Sequence, residues 1–443
     1  MEKSMGKNLK QRDRWLGVGV LAFGLLSAGA FAFVSPEWSV VGDIQNHATV
    51  LDSEEKKTDT KKPEGRIVRD SGVVGVATPE PMRAIYMSQC VVGTPSFREK
   101  LVKMIEETSL NAVVIDIKDY SGTIGFPTTD PRFEEVSLTN CGARDMKSFI
   151  ATLHEKDIYV IGRVTVFQDP SYTKKFPDQA VQSIANPGKP WVDHKGLAFV
   201  DVSSKPFWDY IVRLSEESYA IGFDELNYDY VRYPSDGNMK DAQYVNDNKA
   251  EALEAFFSYL HEKVNPIGVK MSADLFGYVT VLSDDLGIGQ QLERALPYFD
   301  YIAPMVYPSH YNKGFAGLSN PNNDPYKVVY TSMAEAVRRA IATETRVQTL
   351  DSQALFEEVV VPATETTATT TKKIATGYYT KPVHDKLKLR PWLQDFDYGK
   401  DYTVADIEAQ IKANEDAGLT SWFFWDPANR YENLYNYLIS SNE

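Results

Sequence analysis

Two carboxylates in this 443-residue sequence sit where strand-like segments end. Asp229 closes ELNYD within residues 221–234 (IGFDELNYDYVRYP), and Asp274 lies in KMSADLFG. On the first strand, alternation puts Glu225, Asn227 and Asp229 on one side and Leu226, Tyr228 and Tyr230 on the other. Taking carboxylates out of water is costly unless they are paired or used. The spacing therefore points to an active-site strand, with a salt-bridged strand end as the structural alternative. Two such acids can divide a reaction between them: one stays protonated and hands its proton to a leaving oxygen, while the other stays ionised and attacks carbon or directs water. That is the chemistry of glycosidic bond cleavage. Asp229 reads as nucleophile or base, with Arg232 holding its charge. Asp274 reads as proton donor, because Ala273, Leu275 and Phe276 would desolvate it and raise its pKa. Glu225 is an alternative donor four residues deeper. Asp116 is a further candidate: Lys118 would lower its pKa and make it a substrate-orienting group, and a buried Asp–Lys pair reads equally well.

The elements that must position these groups alternate along the chain. Strand patterns fall at residues 83–88, 111–118, 158–167, 221–234, 269–277, 301–307, 389–396 and 421–426. Helical patterns follow them, the first at 96–108 with Ser96 as N-cap and Glu99 at the capping-box position. Eight β/α units without a Gly-rich phosphate loop after the first strand predict an α/β fold, a closed (β/α)8 TIM barrel, rather than a doubly wound sheet. Chemistry in such a barrel sits at the C-terminal strand ends. That rule adds Asp116, Lys118, Arg163, Glu225, Asn227, Arg232, Tyr307, Trp392, Gln394, Asp395, Trp425 and Asp426 as substrate-binding candidates, a mixture of polar groups and flat rings that suits a sugar. Residues 343–377 break the rhythm, and six threonines between 364 and 371 mark an exposed, mobile, Thr-rich insertion.

Ahead of the barrel, a basic tail at 1–14 precedes residues 15–34, twenty residues without charge. That length suits a transmembrane anchor with its basic side in the cytoplasm; a cleaved signal segment is the competitor. Residues 35–81 read as a flexible, disordered linker, leaving the barrel at 82–440 outside the cytoplasmic membrane, or secreted if the N-terminal segment is removed. A net charge of -14 and the lack of a basic run beyond the N-terminus exclude nucleic acid as a partner. Cys90 and Cys141 follow the first and second strands, so an exported chain could join them in a disulfide or leave two thiols. His194 and His310 lack partners at metal-ligand spacing and read as surface or rim residues, so no metal and no cofactor is expected. NPNNDP at 320–325 reads as a turn or a calcium site.

Several blocks, in order, carry a resemblance: RAIYMS, LNAVVIDIKDYSGTIGF, RVTVFQDP, GFDELNYDYVRYPSDG, YIAPMVYPSHY, RPWLQDF and SWFFWDP. From about residue 82 to 437 the chain resembles a bacterial glycoside hydrolase family with a membrane-anchored TIM barrel, distantly similar to the α-amylase clan. The resemblance implies an oligo- or polysaccharide substrate from the cell envelope or outside the cell, a nucleophilic Asp at the fourth strand end (Asp229) and an acid at the fifth (Asp274). The clan places an Arg two residues before its nucleophile, where this chain has Asn227; Arg163 or Arg232 could compensate. The alternative is a carbohydrate-binding or scaffold barrel without catalysis.

Overall fold

The computed structural model describes residues 66–68, 73–362 and 369–441. Eight parallel strands close a barrel in chain order: β1 (Arg83–Met87), β2 (Ala112–Lys118), β3 (Tyr159–Thr165), β4 (Glu225–Asp229), β5 (Lys270–Phe276), β6 (Tyr301–Met305), β7 (Trp392–Gln394) and β8 (Trp422–Trp425). Around it run α1 (Pro95–Glu107), α2 (Met146–Glu155), α3 (Lys205–Ile221), α4 (Lys249–Val264), the single-turn α5 (Leu292–Ala295), α6 (Pro325–Ile341), α7 (Val404–Asp416) and α8 (Glu432–Ser440). All eight expected strands are present, each shorter than its apolar run. Helix α1 starts one residue earlier than expected, with Thr94 at the cap and Pro95 in its first turn, so Ser96 does not cap it.

Strand alternation sorts the core into two layers. Ile85, Val113, Val160, Leu226 and Met271 face the helices, whereas Ala84, Val114, Ile161 and Phe423 fill the barrel interior. On β4 this puts Glu225, Asn227 and Asp229 inside. Tyr228 lies outside, where its hydroxyl meets Ser215 Oγ of α3 at 2.9 Å. Tyr230 departs from the expected pattern: its φ of 51° turns the chain at the strand end and brings it to the barrel mouth instead of the helical layer.

The folded part begins before residue 82, earlier than the linker boundary read from the sequence. Val74–Val76 pairs antiparallel with Arg66–Val68, and Val76 is buried with Met82 and Ala84 at the N-terminal end of the barrel. Its amide donates to Asp224 Oδ1 at 3.2 Å, just ahead of β4; the other oxygen of Asp224 meets His154 Nε2 at 2.8 Å. The expected membrane segment 15–34 lies outside the described residues, as do the basic tail and most of the linker. Among the described residues no helix is long and apolar enough to cross a membrane.

The Thr-rich insertion is more ordered than its composition suggests. Ala354–Val361 and Thr370–Thr380 form an antiparallel hairpin, joined at its base by Glu344–Thr345; residues 363–368 at its tip lie outside the described residues. β-Branched threonine and valine suit a strand, and composition alone does not distinguish a strand from a loop. Its side chains are largely exposed, Phe356 and Val360 among them. Cys90 and Cys141 are joined in a disulfide, with Cα atoms 4.8 Å apart. NPNNDP forms a turn: Asp324 caps α6 through the Lys327 amide, and Asn322 bridges Tyr398 and Tyr402.

Candidate active site

Strand register sets the site. Asp116 on β2 pairs with Arg163 on β3, Arg163 with Asn227 on β4, and Asn227 with Ser272 on β5, so four polar residues share one interior layer; Asp229 and Asp274 lie two residues further toward the mouth. Arg163 is the hub. Its Nη1 donates to Asp116 Oδ1 at 2.6 Å and its Nε to Asp229 Oδ2 at 3.1 Å, with Nη2 on the same Asp229 oxygen; Nε also lies 3.8 Å from Asp274 Oδ2. Burial pulls the guanidinium's pKa down, but Asp229 and Asp116 push it up further, and it ends well above its ordinary value. Asp229 Oδ1 accepts the Tyr230 amide at 2.5 Å.

Asp274 is set apart from its neighbours. Its Oδ1 accepts from Asn227 Nδ2 at 2.8 Å and from Trp392 Nε1 at 2.7 Å, which leaves Oδ2 as the oxygen to carry a proton. Burial, and then the charge of Asp229, push its pKa well above the carboxylate range against the pull of Arg163. Asp116 is raised to about 6 by burial, opposed by Arg163 and by the Tyr86 hydroxyl, which donates to Oδ2 at 2.5 Å. Three acids thus share one cation, and Asp274 is the one least paired with it.

Several partners expected from the sequence are different in the structure. Lys118 does not pair with Asp116: the β2 register shifts between them, and Lys118 turns to Asp169 Oδ2 at 3.0 Å and the Thr165 carbonyl. Arg232 does not hold Asp229; it donates to the Tyr233 carbonyl and Ser235 Oγ, because the left-handed turn at Tyr230 redirects the chain before it. Glu225 lies on the barrel floor, fully buried against Arg390 Nη1 at 3.2 Å and Tyr159, too deep to serve as donor or sugar ligand. Asn227 orients Asp274 rather than lining the cleft.

At the seventh and eighth strands the polar candidates are structural and the aromatic ones line the cleft. Gln394 is locked by Ser309 and the Phe396 carbonyl. Asp395 accepts from Asn433 and the Leu434 amide at the start of α8, and Asp426 caps the turn before it through the Ala428 and Arg430 amides. None of the three lines the cleft: Asp395 and Asp426 alternate outward from Trp392 and Trp425, whereas Gln394, in register with Trp425, shares their inward side but is taken up by Ser309 and Phe396. Tyr307 packs on Trp425, ring centroids 5.4 Å apart, and on Phe396 and His310. His310 belongs to this wall, where burial lowers its pKa to about 4, whereas His194 is exposed.

The sequence reading missed Tyr86, which alternation on β1 places inside, and the opposite wall of the cleft, where Asp193 and Lys195 come from the β3–α3 connection and Tyr230 and Asp236 from the β4–α4 connection. Only the PSD turn after β4 hinted at Asp236; nothing in the β3–α3 segment marked its residues as neighbours of the strand ends.

A family model described as "putative glycosyl hydrolase domain" matches residues 84–350 and 352–431. Among solved structures, the PgaB (BpsB) glycoside hydrolase domain from Bordetella bronchiseptica is similar at a TM-score of 0.51 and 14% identity, over 81% of this chain and 98% of that one, a likeness of fold. A hypothetical protein from Ruminiclostridium thermocellum ATCC 27405 is 29% identical over 46% of this chain and 98% of that one, at a TM-score of 0.39. The spore cortex-lytic enzyme SleL from Bacillus megaterium QM B1551 has a TM-score of 0.43 and 11% identity, covering 82% and 75%. No curated protein matches the chain.

Proposed function

The chain belongs to the family of putative glycosyl hydrolase domains, and on that premise we propose that it cleaves O-glycosidic bonds of a polysaccharide with Asp229 and Asp274. The observation that carries this reading is the unequal treatment of two adjacent acids: Asp229 is bound by the Arg163 fork, whereas burial and the Asp229 charge hold the proton on Asp274. In the first step the Asp229 carboxylate attacks the anomeric carbon. The glycosidic C–O bond breaks, and the leaving oxygen takes the proton from Asp274. Water, losing a proton to Asp274, then displaces Asp229.

Retention of configuration fits this pair. Asp229 Oδ2 and Asp274 Oδ2 share one guanidinium nitrogen, at 3.1 and 3.8 Å, so their separation is at most the sum of those distances. That bound admits the retaining spacing of about 5–5.5 Å and excludes all but the short end of the inverting range of about 6.5–9.5 Å. The amylase-like arrangement is approximated across strands: Arg163, the register partner of Asn227, supplies the guanidinium that this clan draws from the nucleophile's own strand.

The address is an envelope or extracellular glycan, with the barrel outside the cytoplasmic membrane and held by residues 15–34. The uncharged segment with its basic flank supports this. So does the Cys90–Cys141 disulfide, which suits an oxidising compartment.

The test is hydrolysis of a panel of envelope and storage glycans by the full chain beside Asp229→Asn and Asp274→Asn. On the glycan that is cleaved, each variant is expected to lose roughly 100-fold or more in kcat while still binding it, and proton NMR of the first product should show the substrate's own anomer. Wild-type rates in either variant would overturn the pair. Binding without turnover on every glycan would establish the non-catalytic barrel instead.

A further inference from the structure

The wall opposite the Tyr307–Trp425 rings is made by two connections locked into one unit. Gln182–Ser183 from the β3–α3 connection pairs antiparallel with Ala242–Gln243 from the β4–α4 connection. Between them Trp191 is buried with Val181, Phe199 and Ala242, and its indole Nε1 donates to the Asn238 carbonyl at 3.0 Å. Gly237, at φ 114°, fits against Trp191 where an added Cβ would lie 2.7 Å from the ring. The turn that carries Asp236 is therefore held in place before any ligand arrives.

On this fixed wall Asp236 has a buried oxygen, Oδ1, with no hydrogen-bond partner, while Oδ2 has only a long contact of 3.5 Å from Ser235 Oγ. The same Ser235 oxygen accepts from Arg232 Nη1 at 3.1 Å, so the acid and the guanidinium are linked through one hydroxyl. The Arg232 guanidinium is held over the rings of Tyr230 and Phe276, 4.8 and 4.9 Å from their centroids. A carboxylate this poorly bonded costs free energy, and since Oδ1 is closed to solvent an arriving donor recovers it at the part of Asp236 that lines the cleft.

We propose that Asp236 and Arg232 form a recognition subsite for an uncharged sugar ring, Asp236 accepting from one hydroxyl and Arg232 donating to its neighbour. An acceptor beside a donor matches a vicinal diol, in which each hydroxyl gives or takes a hydrogen bond. The charges of the wall favour a neutral ring. Asp193 and Asp236 are balanced by Lys195 and Arg232, all lining the same cleft, so the wall offers a charged sugar no net attraction to offset the desolvation of its charge, whereas a neutral ring has no charge to desolvate. The inference rests on the glycoside hydrolase reading and narrows its substrate to neutral glycans.

The test uses the full chain and three probes of one ring type: the methyl glycosides of glucose, glucosamine and glucuronic acid, titrated by ligand-observed NMR. The glucoside is expected to bind ~10-fold or more tightly than either charged probe, and Asp236→Asn to weaken it by ~10-fold or more, with little change for the other two. Tighter binding of a charged probe, no binding of any of the three, or an unaltered glucoside affinity in a folded Asp236→Asn would overturn it. Discrimination by the wild-type chain needs no variant, so misfolding cannot mask the answer. Selective binding by a protein that cleaves no glycan would sink the hydrolase reading alone; cleavage by a protein whose Asp236→Asn binds normally would sink this inference alone.

Discussion

Arg163 is the residue on which the site turns, because one guanidinium meets three acids, Asp116, Asp229 and Asp274. Its removal has a signed effect on pH dependence. Activity requires a protonated Asp274 and falls as pH rises through that group's raised pKa; Arg163 pulls this pKa down. In Arg163→Gln the alkaline limb should move to higher pH while kcat falls by roughly 100-fold or more. In Asp116→Asn the guanidinium is left to Asp229 and Asp274, so the alkaline limb should move to lower pH. A pH profile of kcat for the two variants checks both, and shifts of the same sign would contradict the hub. The acids of β4 and β5 were legible in the sequence because strand period is two and carboxylates inside an apolar run are rare. Their cationic partner was legible only as a choice between Arg163 and Arg232, of which the structure uses Arg163. The register shift after Asp116 and the left-handed turn at Tyr230 have no composition signal, and they sent Lys118 and Arg232 elsewhere and left Arg163 in place.

At the scale of elements, the eight strands could be read because each buried run is bounded by turns and helices, whereas the insertion could not, since threonine and valine serve loops and strands alike. Among the described residues the hairpin strands 354–361 and 370–380 are largely exposed, and at the base Tyr379 pairs with Thr345. Replacing residues 354–378 with a short Gly/Ser loop should shift Tm by only a few degrees and leave hydrolysis intact, as differential scanning calorimetry and the glycan assay would report. The disulfide should matter more. It closes a loop of 51 residues around β2 and its connection, so Cys90→Ala with Cys141→Ala is expected to lower stability by about 2–4 kcal/mol in urea unfolding.

For the whole molecule, burial of acids makes stability depend on pH in an unusual direction. Burial raises Asp395 to about 7 and Asp116 to about 6, from roughly 3.9 in an unfolded chain. Between those values the folded protein holds protons that the unfolded chain releases, so these groups make stability fall as pH rises from about 4 to 7. Asp395→Asn should flatten that slope, by up to roughly 4 kcal/mol across the window; equal slopes in urea titrations of both proteins would refute the assignment. The N-terminal strand carries a consequence of another kind. Val74–Val76 docks at the end of the barrel where β4 begins, beside Asp224, and the acids stand at the end where β4 finishes. Whatever holds the first residues of the chain therefore holds the barrel by its heel. Entry of the chain at that end leaves the strand-end acids on the free face, with neither Arg66–Val68 nor Val74–Val76 between them and an arriving polymer.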